Sequence, residues 1–134
     1  MSTLAIDIGG TKFTMAVFSD TDEMVARETR ATDREGGREW LVEQITSVIN
    51  GWKRCYQWKR CGIGFGGPVD FASQRVVLST HVGGWTGFDL PGFIGEQTGV
   101  PVVMDNDANV GALGEGTYGA GKGADPLFYM TLST

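Results

Sequence analysis

The sequence predicts an α/β fold built on a mixed sheet, and two observations carry that prediction. The chain opens with three short segments of strand-like alternation, the first two separated only by Gly9-Gly10-Thr11, as antiparallel neighbours are joined. From Arg38 onward, segments of helical and strand-like periodicity alternate, the pattern of parallel strands linked by helical crossovers. At 134 residues, 41% hydrophobic and 20% charged, the chain is long enough to close one core and is neither disordered nor membrane-spanning in composition.

Each element has its own signal. "LAIDIGG", Leu4 to Gly10, is an apolar strand with one acid inside it, and "KFTMAVF", Lys12 to Phe18, alternates like the second arm of a hairpin. A third strand covers Met24 to Thr29, and the polar stretch Thr32 to Glu39 leads into a helix. Leu41, Ile45, Val48, Ile49, Trp52 and Tyr56 recur at three- and four-residue spacing, so the helix runs from Arg38 to about Tyr56 with its stripe on the sheet. "CGIGF", Cys61 to Phe65, is a buried strand that leaves the sheet at Gly66-Gly67-Pro68. A small strand at Arg75 to Leu78 precedes the glycine-rich loop Thr80 to Leu90. Then come a short helix at about Pro91 to Thr98, a strand at Pro101 to Met104, and a helix after Asp107 ending near Gly116. After another glycine-rich loop, "LFYMTLS", Leu127 to Ser133, reads as a last strand. The stop at Thr134, with no polar tail or closing helix, reads as a cut.

Charge and cysteine content narrow the function classes. The net charge is -5, and the one concentrated basic run, "WKRCYQWKR" from Trp52 to Arg60, interleaves aromatics as nucleic-acid surfaces do. That run falls at a helix end, where cations suit the negative pole of the dipole, and the rest of the chain is acidic. No nucleic-acid partner is therefore expected. Cys55 and Cys61 are too few and wrongly spaced for a zinc knuckle. With no signal peptide and no apolar run of roughly 18 residues, the default is the reducing cytoplasm, with no membrane partner.

Two glycine patterns fail on context. "GTYGAGKG", Gly116 to Gly123, has Gly123 where a phosphate loop needs a hydroxyl for magnesium, and it follows a helix instead of a strand. "GIGFGG", Gly62 to Gly67, runs into Pro68 where a dinucleotide fingerprint needs a helix start. "IDIGGTK", Ile6 to Lys12, is more informative. A Gly-Gly-Thr turn lets backbone N–H groups meet an anion, Thr11 and Lys12 add a hydroxyl and a charge, and Asp7 could hold hydrated magnesium beside the same phosphates. The alternative is an ordinary hairpin with a satisfied acid.

"DNDAN", Asp105 to Asn109, opens a helix at a strand end. A carboxylate there can take the proton of a hydroxyl attacking a phosphoryl group, while neighbouring amides hold other hydroxyls of the same polyol. Asp107 would also serve as a helix N-cap, and the two readings stand side by side for that residue alone.

Together these segments resemble the ROK family of bacterial sugar kinases and sugar-responsive repressors, within the actin and hexokinase-like superfamily. "AIDIGGTKFTMAVF" is similar to its first phosphate motif, "GIGFGGPVD" to its sugar-side loop, "GGWTGFDL" to its second sugar loop and "DNDANVGALGE" to its catalytic segment. The resemblance implies an actin-like ATPase or ribonuclease H-like mixed sheet with flanking helices. It implies ATP-dependent phosphorylation of a hexose, with ATP and Mg2+ as cofactors. Asp107 would be the general base. Gly67, His81, Asn106 and Asp107 would bind the sugar, Gly9, Gly10, Thr11 and Lys12 the ATP phosphates, and Asp7 the metal.

The same resemblance frames three departures. His81 stands about where many members carry a sugar-binding Asn, unless it is a loop residue bonded to backbone. Repressor members carry a helix-turn-helix domain before the first motif, and here that motif begins at Leu4, which favours the kinase branch. The second phosphate loop, the zinc-binding cysteine cluster and the adenosine pocket would lie beyond Thr134. The expectation is therefore an N-terminal lobe spanning residues 1–134 without its C-terminal lobe, inactive alone. Zinc would enter only with that cluster, and a homodimer suits the full-length protein. The competing reading is a sugar-sensing module that performs no chemistry.

Overall fold

The computed structural model describes residues 1–132. Its elements are β1 (Ser2–Ile8), β2 (Lys12–Phe18), β3 (Met24–Ala31), α1 (Gly37–Trp52), β4 (Trp58–Phe65), β5 (Val69–Asp70), β6 (Arg75–Val76), α2 (Leu90–Thr98), β7 (Val102–Asn106) and α3 (Asp107–Tyr118). Five strands form one sheet in the order β3-β2-β1-β4-β7. The first three pair antiparallel, while β1, β4 and β7 run parallel. The expected mixed-sheet α/β architecture is present.

Strand alternation sorts the sheet into two unlike faces. Across one face the register aligns Ile6 with Met15 and Ile63, and Ile63 with Met104. These side chains are buried with Leu41, Ile45 and Ile49 of α1 and Leu90 and Ile94 of α2. That is the core, and each such aliphatic side chain stabilises the fold by about 1.5–3 kcal/mol through burial. The opposite face carries small or polar residues in the same rows: Ala5 beside Ala16 and Gly62, and Asp7 beside Thr14 and Gly64.

Two helix boundaries have clear local causes. Asp89 caps α2 by accepting from the Gly92 N–H, and Gly99, at φ 72°, ends it in the left-handed conformation. Helix α1 stops at Trp52, short of the expected Tyr56. Cys55 and Tyr56 both donate to the Trp52 carbonyl in a closing turn, and Tyr56 packs edge-on against Trp52 at 6.3 Å. The helical spacing thus persists in sequence through a turn that is no longer helix.

Strand expectations change in several places: β3 runs on to Ala31 past the expected Thr29, and β7 to Asn106 past the expected Met104. β4 starts at Trp58, ahead of the expected Cys61, because exposed Lys59 and Arg60 hide its alternation while Arg60 pairs with Thr3. The small strand is confined to Arg75–Val76 and pairs with Val69–Asp70, which sequence patterning did not reveal. The expected last strand, Leu127 to Ser133, is not formed over its described residues Leu127 to Leu132, and Ser133 lies outside them. Without a sheet neighbour a strand has no ladder to satisfy its backbone. The segment instead lays Tyr129 against Gly111, and Leu127 against Gly116 and Gly121.

One side chain ties the β5–β6 hairpin to β7. Gln74, at φ 56°, accepts from the Met104 N–H at 2.7 Å and donates to the Met104 carbonyl at 3.1 Å, so its amide substitutes for a neighbouring strand. Gln74→Ala leaves both backbone groups of Met104 without that partner. A destabilisation of about 1–3 kcal/mol in urea unfolding is expected, and a loss below measurement error would refute this bracing role. Among the described residues, no helix is long and apolar enough to cross a membrane.

Candidate functional site

Parallel register assembles the site at the carboxyl ends of β1, β4 and β7. On the open face Asp7 pairs across to Gly64, and Gly64 to Asp105, so the three form one row. Helix α3 begins directly after β7, which lifts Asp107 over this row. A Cβ at Gly64 would lie 3.5 Å from Asp7 Oδ1 and 3.8 Å from the Asp107 Cα. Any larger residue there would fill the gap between the two acids.

The structure separates the two readings of Asp107. The N-cap of α3 is Asn106, whose Oδ1 accepts from the Ala108 N–H at 3.0 Å. Asp107 is the next residue, exposed, and among the described residues its carboxylate receives no hydrogen bond. Asn106 also donates through Nδ2 to the Gly67 carbonyl at 2.8 Å, so one side chain caps the helix and fixes the glycine loop. Asp105 Oδ1 accepts from the Asn106 N–H and from Asn109 Nδ2, bracing the same turn. The sequence offered Asp107 as a cap beside its role as a base; Asn and Asp are both good caps, and only backbone geometry decides between them.

Asp7 is electrostatically strained. Burial and the negative charge of Asp107 push its carboxyl above the ordinary 3.8, and Lys12 partly offsets them. Because this folded-state value exceeds the unfolded one, the unliganded chain loses stability as pH rises through that window, and the deficit persists at neutral pH. Asp7→Asn should therefore melt higher than the parent at pH 7 without divalent cations, with the difference shrinking below pH 4. A lower melting temperature at pH 7 would contradict the arrangement.

This is also where a hard divalent cation fits. Magnesium takes one or two carboxylates and completes its shell with water and phosphate oxygens, and added positive charge here relieves the Asp7 and Asp107 repulsion. Asp7 is the residue that would hold it.

The Gly9-Gly10-Thr11 turn sits beside this pair. Gly9 N–H donates to the Lys12 carbonyl, while among the described residues the Gly10 and Thr11 N–H groups find no acceptor. Thr32 N–H donates to the Thr11 carbonyl, and Arg34 Nε donates to the Gly10 carbonyl at 3.0 Å. The other face of Gly10 is taken by His81, whose Cγ would lie only 2.8 Å from a Cβ at that position. The expected sugar-loop residue thus meets the phosphate turn, so the second loop and the turn are packed as one unit. Arg38 holds that loop from the start of α1, donating to the Gly84 carbonyl at 2.5 Å and lying 4.4 Å over the Phe88 ring.

A cleft of about 820 Å3 extends from this pair of acids down the open face, lined by Ala5, Asp7, Gly62, Gly64, Asp107 and Tyr129 among others. Its chemistry is concentrated at the Asp7 and Asp107 end, since most of its remaining wall is apolar. Gly64 and Asp105 escaped notice as site residues in the sequence. The signal was the register of strands distant in the chain, which no local pattern encodes.

Comparison with known proteins places the chain in a family. The ROK family model matches residues 3–134. The chain is 31% identical to the glucokinase of Thermotoga maritima over 131 residues, covering 98% of this chain and 41% of that protein. It is 37% identical over 73 residues to the xylose repressor of Bacillus spizizenii, covering 54% of this chain and 19% of that protein. Among solved structures, the ROK glucokinase of Streptomyces griseus in complex with glucose and AMPPNP superposes with a TM-score of 0.81 at 31% identity, covering 93% of this chain and 39% of that one. The chain thus spans about 41% of the length of that curated glucokinase relative.

Proposed function

The chain belongs to the ROK family, and from that premise we propose that it is the N-terminal lobe of an ATP-dependent hexose kinase. The observation that carries this reading is Asp107: relieved of capping by Asn106 and without a hydrogen-bond donor among the described residues, it stands beside Asp7 and the phosphate turn. A carboxylate with no structural task, next to free turn N–H groups, suits general-base chemistry on a phosphoryl acceptor.

In this reading the sugar hydroxyl oxygen attacks the γ-phosphorus of ATP. Its O–H proton passes to the Asp107 carboxylate, the new P–O bond forms, and the bond to the bridging oxygen breaks to release ADP. Asn106 and the Gly67 backbone orient the sugar, and His81 stands where sugar and phosphoryl group meet. The N–H groups of Gly10 and Thr11, with the Gly9 turn and Lys12, cradle the phosphates. Magnesium beside Asp7 would supply charge neutralisation between phosphates. Closure of a second lobe would exclude water. Zinc and a homodimer belong to this proposal only through residues beyond this chain, and cytoplasmic residence is part of it.

The test is ADP release with MgATP over a panel of glucose, mannose, fructose, N-acetylglucosamine and N-acetylmannosamine, using a polypeptide that carries these residues together with a nucleotide-binding lobe. Sugar-dependent turnover is expected with at least one hexose, and none with any would reject the reading. The 134 residues alone are expected to turn over little or no ATP.

The similarity to the xylose repressor supports a second reading, a sugar-sensing module without chemistry. Sugar-dependent thermal stabilisation without ADP release would favour it.

A further inference from the structure

The phosphate turn carries a cation that no sequence motif announced. Arg34 lies in the polar connection between β3 and α1, yet its Nε reaches back to the Gly10 carbonyl at 3.0 Å. A guanidinium has five N–H donors in a planar fork, and this contact uses one of them. Among the described residues, the remaining donors of Arg34 meet no acceptor and neither Arg34 nor Lys12 forms an ion pair. Of the two acids beside it in sequence, Asp33 is engaged, its Oδ1 accepting from the Glu35 N–H and its Oδ2 facing Gly36, and Glu35 forms no ion pair with it among the described residues. Arg38, the next basic residue along the chain, at the start of α1, is committed to Gly84 and Phe88. Two exposed cations, neither in an ion pair among the described residues, thus adjoin the Gly10-Thr11 turn, Lys12 near enough to Asp7 to act on its charge and Arg34 on the Gly10 carbonyl, in a chain whose net charge is -5.

We propose that Arg34 is a second phosphate-binding residue of this turn, anchored through Nε to the Gly10 carbonyl and presenting its free N–H groups to the oxygens of a polyphosphate chain. The inference rests on the phosphate-turn reading above and adds a residue to it. The anchor orients the fork at a fixed distance from the turn, so the geometry suits paired contacts with a phosphate group more than a diffuse attraction. Lys12 supplies a point charge from the strand side, and Arg34 a planar one from the connection.

Inorganic tripolyphosphate, titrated into the chain by calorimetry, reads this contact without any sugar or turnover. Arg34→Ala should weaken binding by about tenfold or more, Arg34→Lys should restore part of the loss, and Arg54→Ala, removing an exposed cation after α1, should change affinity less than twofold. Equal affinity for Arg34→Ala and the parent overturns the inference, as does an equal loss for Arg54→Ala, which would mark general charge. Absence of tripolyphosphate binding by the parent overturns it too, and leaves sugar phosphorylation to its own assay. If instead binding depends on Arg34 while no hexose is phosphorylated, the anion site stands and the kinase reading falls.

Discussion

Replacing Asp107 with Asn, in a polypeptide that also carries a nucleotide-binding lobe, is expected to lower turnover by roughly a hundredfold to ten-thousandfold, the range associated with loss of a positioned general base. The structure makes the substitution informative because Asp107 does not cap α3; Asn106 does, through the Ala108 N–H. The helix should therefore keep its start, and the melting temperature should move little or rise, since the charge that disfavours ionised Asp7 is removed. KM for the sugar should change less than kcat, because Asn retains the hydrogen-bonding shape and loses the capacity to accept the proton. Near-normal kcat would reject Asp107 as the base. A large fall in stability would show instead that the residue supports the fold.

The second large effect falls on stability. Phe13→Ala should cost about 3–5 kcal/mol, measured by urea unfolding, against a total of about 5–15 kcal/mol for a domain of this kind. Phe13 is completely buried, pairs with Ile8 across β1 and β2, and meets Trp40 of α1 edge-on at 6.3 Å. It lies immediately after Lys12, so the cavity would open under the Gly9-Gly10-Thr11 turn. Phe18, at the far end of β2 and only half-buried against the open cleft, should cost less than half as much when replaced by Ala. A Phe13→Ala loss below about 1 kcal/mol would mean that the hairpin is not anchored by its underside.

These two residues mark how unevenly the chain declares itself. Phe13 was legible as a core residue because strand alternation places every second side chain on one face, and "KFTMAVF" states that alternation openly. The hairpin turn, the α1 stripe, the short helix at about Pro91 to Thr98 and the strand entering from Pro101 are equally local. Where expectation failed, a local pattern met a distant constraint. Tyr56 keeps helical spacing in a turn, and "LFYMTLS" alternates well but pairs with no strand over its described residues.

What the sequence by itself determined is the set of elements and the chemistry they carry: a glycine turn with a hydroxyl and a charge, an acid within a strand, and a carboxylate at a helix start. Periodicity and turn chemistry depend on neighbours a few residues away, so they can be read directly from the chain. Only the tertiary structure decided that Asp7, Gly64 and Asp105 share one row, that His81 and Arg34 close on Gly10 from different loops, and that Asn106 caps α3. Those outcomes depend on the register between strands far apart in sequence and on which donor reaches a carbonyl first. Such choices are made by packing, where a shift of a single residue would move Asp7 to the opposite face.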